Sequence, residues 1–324
     1  MFLAGTAGIT TLGLASCAAG SSATGAPQAT DTAGFPVTLV GKEGTTTINT
    51  EPQRVIALGF QRDTDTSLAL GVTPIAITEN SIFPDGIAPW VKSELMGTKP
   101  EMLNTDEGIP FEKVASLRPD LILSTDDYDL ANNYSRLTQI APTLSYLEGP
   151  ASDTWQQRTT LIGKALGRSE QAQKIITDVE AQIAQAAQAN PAFAGKTFSR
   201  SYVYQGEVRA ILRGDPGVTI IEQLGLKLSP EFAALPEADT PGRGVVSLEN
   251  LDVLEADVML ISYPTADDRS FLESKQVFQQ LDAVKNGRYV RQEQLDSAAL
   301  GFPSARSIPW GLDRTVTAIA NVLK

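Results

Sequence analysis

Histidine is absent from all 324 residues of the chain. With it go the usual proton shuttle and the commonest metal ligand. That argues against a zinc enzyme, a Ser-His-Asp hydrolase and a His-ligated haem site. Cysteine occurs once, at Cys17, so there is no disulfide framework. Basic runs are missing too, and the net charge is −12, which leaves nucleic acid without an electrostatic footprint to bind. No Gly-rich phosphate loop, metal triad or nucleophile–base pair is visible. The residue sets that would announce an enzyme or a metal site are thus missing from the sequence.

The remaining composition is ordinary for a globular protein, 42% apolar and 20% charged. The length is sufficient for two domains. Residues 1–16 are uncharged and rich in Leu, Ala, Gly, Thr and Ile, and read as a signal peptide. The run is too short to span a bilayer as a stable helix. It ends in Leu14-Ala15-Ser16-Cys17, which resembles a bacterial lipobox and marks Cys17 for lipidation. Residues 17–34 are small and polar and read as a flexible tether. A lipid anchor followed by a tether would hold a folded body just off the outer face of a membrane, with no other membrane contact.

The body divides around residues 151–191. Leu161, Ile162, Ala165 and Leu166 recur at helical spacing up to Gly167. Ser169 then reads as an N-cap, followed by a stripe of Ile175, Ile176, Val179, Ile183, Ala186 and Ala187. Asn190-Pro191 stops it. A helix from Ser169 to Ala189 would be about 30 Å long, enough to span a domain. An internal echo flanks it. Glu112-Lys-Val114, Leu117 and Asp120-Leu121-Ile122-Leu123 match Glu249-Asn-Leu251, Leu254 and Asp257-Val258-Met259-Leu260. Each is a helical turn ahead of a buried strand that opens into a loop. The spacing predicts two Rossmann-like α/β lobes, 35–150 and 192–324, joined by the linking helical segment 151–191. Ligands of open α/β sheets sit at the carboxyl ends of strands, so the loops after Leu123 and Leu260 should face a cleft between the lobes.

Five segments carry a family resemblance: Arg54–Gly59, Leu70–Ala76, Leu117–Ile122, Ile140–Thr143 and Ser307–Pro309. Together they resemble the iron–siderophore substrate-binding proteins of ABC importers, a class that also holds vitamin B12 and haem binders. The likeness runs from about Phe35 to Lys324. It implies two α/β lobes on one long helix, a ferric siderophore as cargo, a permease with its ATPase as partner, and a monomer. Iron would enter only as part of the siderophore. A bulky anionic complex would be held by arginine and aromatic side chains. The ligand-binding candidates are Arg62, Trp90, Tyr128, Tyr146, Tyr204, Arg213, Tyr263 and Arg306. Arg62 and Arg306 are placed on opposite walls of the cleft, with Ser307 capping the closing helix. The resemblance further implies one acidic residue per lobe for permease docking, Glu94 in the first and Glu222 in the second. Cobalamin or haem as cargo, and a surface lipoprotein that has lost transport, stay open as alternatives.

Overall fold

The computed structural model describes residues 34–238 and 242–324. The signal peptide, Cys17 and nearly all of the tether lie outside the described residues.

Thirteen strands occur among the described residues. β1 (Val37–Val40) and β2 (Thr45–Ile48) pair antiparallel as the hairpin that alternation around Gly41 and Gly44 predicts. The first lobe is an all-parallel sheet of β3 (Val55–Ala57), β4 (Ala76–Thr78), β5 (Glu101–Leu103), β6 (Leu121–Leu123) and β7 (Thr143–Leu144). Its order is β5-β4-β3-β6-β7. β3, β4 and β6 are buried along their whole length, as strands covered on both faces must be. The second lobe adds β8 (Thr197–Tyr204), β9 (Glu207–Ile211), β10 (Lys227–Leu228), β11 (Arg243–Val246), β12 (Val258–Ser262) and β13 (Tyr289–Gln292). Its order is β11-β9-β8-β12-β13, with β10 alongside the start of β8.

The internal echo has a physical purpose. Asp120 accepts the backbone N–H groups of Gln53 and Arg54, each at 2.8 Å, and so clamps the entry to β3. Asp257 does the same for β8 through the N–H of Thr197 at 2.9 Å. One carboxylate in each lobe thus ties the start of a central strand to its neighbour.

Two helices form the link. Trp155–Ala165 opens on a capping box: Thr154 Oγ1 accepts from Gln157 N at 3.1 Å, and Gln157 Oε1 accepts from Thr154 N at 2.8 Å. Gly167, with φ +68°, turns the chain into Ser169–Ala189. That helix has the predicted bounds, but its cap position is Arg168 and Ser169 is its first helical residue. Its buried face is Ala172, Ile176, Val179 and Ile183. Ala172 packs into the first lobe with Leu161, Ile162 and Ala165. Ile176, Val179 and Ile183 belong to the core of the second. The helix is therefore shared by both lobes.

It is not the sole connection. The helices Gln294–Gly301 and Ser307–Val322 follow β13. Ile308, Leu312 and Ile319 pack into the second lobe. Ala299, with Trp310 alongside, packs instead against Ala57, Leu68, Ile77 and Trp90 of the first.

β10 and β11 were not legible in the sequence. β10 is two residues long, and β11 is an edge strand. β9 did carry a signal. Gln205-Gly206, both at positive φ, form the mirror-image turn that suits a two-residue hairpin between β8 and β9.

Candidate functional site

A cavity of about 300 Å³ opens between the lobes. Phe60, Arg62 and Tyr128 supply the first-lobe wall, and Ala151 belongs to the link. Gly214, Asp215, Pro216 and Arg243 supply the second-lobe wall, with Gly301 and Phe302 from the returning segment. A second cavity of about 220 Å³ shares Phe60 and Tyr128 with it and runs along the carboxyl ends of β3 and β4. A larger hollow of about 630 Å³ lies at the other end of the second sheet, around Thr197, Asp257 and Arg288. It has residues of one lobe only, so the interlobe cavity is the candidate site.

The first wall is built on a buried ion pair. Gly59 lies in the loop after β3, and a Cβ there would stand 2.3 Å from Asp63 Oδ2 and 2.6 Å from Asp126 Cβ, so only glycine fits. The helix Arg62–Ala69 starts just beyond and is buried throughout. Its first N–H groups are satisfied from another loop: Asp126 Oδ2 accepts from Gln61 N at 3.0 Å and from Arg62 N at 2.8 Å. Arg62 folds back so that Nε reaches Asp126 Oδ1 at 2.7 Å and Nη2 pairs with the same oxygen. Nη2 also donates to Pro150 O at 2.8 Å and to Tyr128 Oη at 3.3 Å. Burial alone would raise the Asp126 carboxyl, but Arg62 and Arg158 hold it below the usual range. Arg158, from the Trp155–Ala165 helix, donates to Thr125 Oγ1 at 3.1 Å and to Pro150 O at 3.0 Å. Asp63 accepts from Thr125 N at 2.9 Å, and burial beside Asp126 pushes its carboxyl up to about 6.

The second wall repeats the device. Asp215 caps the Pro216–Gln223 helix, accepting from Gly217 N at 2.8 Å and Val218 N at 3.2 Å. It also pairs with buried Arg200 at 2.9 Å and with Arg243 at 2.8 Å. Arg243 is 27% exposed, donates Nη1–H to Gly242 O at 3.0 Å and lines the cavity. Aromatic rings close the floor: Phe60 and Phe302 lie 5.0 Å apart, and the Arg62 guanidinium sits 5.7 Å from the Phe302 ring centre.

Of the predicted ligand-binding residues, Arg62 and Tyr128 reach this cavity. Trp90 does not. It is a core residue, packed edge-on to Phe83 at 5.4 Å and donating Nε1–H to Asp65 at 2.7 Å. Tyr146 is buried, with its hydroxyl on Glu43 Oε1 at 2.7 Å. Tyr204 is exposed at the β8–β9 turn. Arg213 is exposed and lies 3.8 Å from Glu222. Tyr263 is half-buried at the end of β12, its hydroxyl 2.6 Å from that of Tyr289. Arg306 is not on a cleft wall: it bridges the lobes at the surface, 2.8 Å from Glu94. The reason is the cap. Ser304 Oγ, not Ser307, accepts from Arg306 N at 3.2 Å and Ser307 N at 2.9 Å, while Ser307 Oγ donates to Ala299 O. The loop is thereby pinned into the core. Glu94 is accordingly engaged within the chain, and Glu222 lies on the Pro216–Gln223 helix.

Sequence reasoning missed Phe60, Asp126, Asp215, Arg243 and Phe302. Asp215-Pro216 was a readable helix start, since Asp favours the cap and Pro the first helical position. Arg243 offered no local sign. Among the described residues, no group of three or more Cys, Asp or Glu is arranged to hold a metal ion. No described helix is long and apolar enough to cross a membrane.

Residues 56–293 match the model of a family described as periplasmic binding protein. YhfQ of Bacillus subtilis (strain 168), named as an ABC transporter substrate-binding lipoprotein, is 28% identical over 260 residues. The match covers 75% of this chain and 77% of that one. The Fe(3+) dicitrate-binding periplasmic protein FecB of Escherichia coli (strain K12) is 28% identical over 66% of this chain and 68% of its own. The crystal structure of a periplasmic solute binding protein from Mycobacterium smegmatis superposes with a TM-score of 0.77 at 30% identity. The superposition covers 89% of this chain and 99% of that one.

Proposed function

We propose, from the premise that this chain belongs to the periplasmic binding protein family, that it captures a ferric siderophore between its lobes and delivers it to the permease of an ABC importer. The observation that carries this reading is the interlobe cavity, with its aromatic floor and an aspartate-held arginine on each wall. Such a surface offers stacking and hydrogen bonds to the oxygen-rich shell of a chelate. On this reading binding and release are the whole task, and no catalysis is asked of the chain. It needs no cofactor, because the iron travels inside the cargo.

The same reading places the protein on the outer face of the cytoplasmic membrane, anchored through Cys17 and acting as a monomer. Glu222 and Glu94 remain the docking candidates, and Glu94 would have to leave Arg306 to serve. Cys17→Ala should release the protein from the membrane fraction and abolish lipid labelling.

The test is a fluorescence titration of the purified protein, whose tryptophans are Trp90, Trp155 and Trp310. Ferric hydroxamate, catecholate and citrate complexes would be compared with cobalamin and haem. Saturable quenching by a ferric complex is expected. A response to cobalamin or haem alone would overturn the siderophore reading in favour of the other cargoes of this fold.

A further inference from the structure

We propose that the cleft selects ferric complexes with a neutral or cationic periphery and rejects anionic ones. This rests on the siderophore reading above and names the charge class of the cargo. It reverses what arginines at 62 and 306 suggest when read from the sequence.

The argument starts from compensation. An arginine recruits an anion when its charge is free; one already bonded to a buried carboxylate offers little beyond donor hydrogens. Arg62 is spent on Asp126, with side-chain exposures of 2% and 0%. Arg158 lies behind it, facing Asp63 and Asp126, so the buried floor of the first wall is balanced. Arg306 is committed to Glu94 outside the cavity. On the second wall Asp215 takes both Arg200 and Arg243. Arg243 is thus the one partly uncompensated cation lining the two cavities among the described residues.

Against it stands the continuation of the cleft beyond Phe60 and Tyr128. There the lining carries Glu79, Asp106, Asp127 and Asp129, and no Lys or Arg. None of these four is within ion-pair distance of a cation among the described residues. Asp127 accepts from Ser124 Oγ at 3.1 Å and from Asp129 N at 2.8 Å, both neutral donors. Burial raises its carboxyl, with Asp129 and Asp126 adding to the effect. A chelate seated on the Phe60–Phe302 floor would therefore put its oxygen-rich face to Arg243 and its outer arm along these carboxylates. An ammonium arm gains there; a carboxylate arm meets like charge.

The experiment holds the chelate constant and varies only the end charge. Ferrioxamine B is a linear trihydroxamate with a terminal ammonium; its N-acetyl derivative ends neutral and its N-succinyl derivative ends in a carboxylate. Affinity should fall in that order, by at least about fivefold between the ends at low salt, and the spread should shrink as salt rises. Asp127→Asn with Asp129→Asn should compress the series, lowering affinity for the ammonium-ended complex relative to the N-acetyl one and raising it for the N-succinyl one. Glu79→Gln with Asp106→Asn, on other elements, repeats the test should the first pair fold poorly. Equal affinities across the series, or ferric citrate binding more tightly than every trihydroxamate, would overturn the charge preference and leave the siderophore reading standing. Failure to bind any ferric complex would remove both.

Discussion

Replacing Arg62 with alanine should damage the fold more than the site. A rim arginine can be truncated with little effect on stability. Arg62 and Asp126 are instead 2% and 0% exposed in their side chains. Truncation leaves Asp126 buried, with its Oδ1 stripped of the Arg62 donors and only Oδ2 still held by the N–H groups of Gln61 and Arg62. Removing one partner of a buried pair costs roughly 3–5 kcal/mol, because the survivor keeps its desolvation penalty. For a chain of this size that is a fall of roughly 5–15 °C in melting temperature. Arg62→Lys should fall between, since an ammonium cannot reproduce the two-pronged contact. Arg62→Met with Asp126→Asn should recover part of the loss, because no uncompensated charge remains. Thermal and denaturant melts of wild type, Arg62→Met, Asp126→Asn and the double variant complete a double-mutant cycle that measures the coupling directly. An Arg62→Ala variant that melts within about a degree of wild type, while losing ligand affinity, would refute the buried-pair account and restore Arg62 as a simple ligand contact.

Trp90→Phe should lower stability by about 1–2 kcal/mol through loss of the bond to Asp65 while leaving siderophore affinity unchanged, as equilibrium unfolding and titration would show. Arg306→Ala should cost no more than about 1 kcal/mol, since both partners of its bridge are about one third exposed, and titration should show unchanged affinity. Asp65 is held by Ser304, Trp90 and Gln61, yet burial pushes its carboxyl up to about 7 from an ordinary value of 3.8. The folded state then binds a proton that the unfolded state releases. The contribution is fully present below about pH 4 and is lost as pH rises through 7. Relative to Asp65→Asn, wild type should thus lose stability across that window and run parallel above it. Parallel melting profiles throughout would show that Asp65 does not titrate there.

Local pattern determined a good deal of this protein. The spacing of Ile176, Val179 and Ile183 dictates a helix, because only a 3.6-residue period brings them to one face. The repeated Leu-x-x-Asp motif announces two equivalent lobes, because each aspartate clamps the strand beside it. The short buried runs at 55–57, 121–123 and 258–262 read as strands covered on both faces, and each pairs in parallel, while the antiparallel β9 and β11 make the second sheet mixed.

The site was decided elsewhere. Arg62 reads as a free charge at the head of a helix until β6 brings Asp126 against it from 64 positions away. Arg306 reads as a cleft residue until Ser304, bonded to Asp65 across 239 positions at 2.6 Å, pins its loop into the core and turns the arginine toward Glu94. Whether a charge is spent or free depends on its partner in space. Periodicity and capping act over a few residues, whereas compensation of a buried charge is settled only when distant segments pack together.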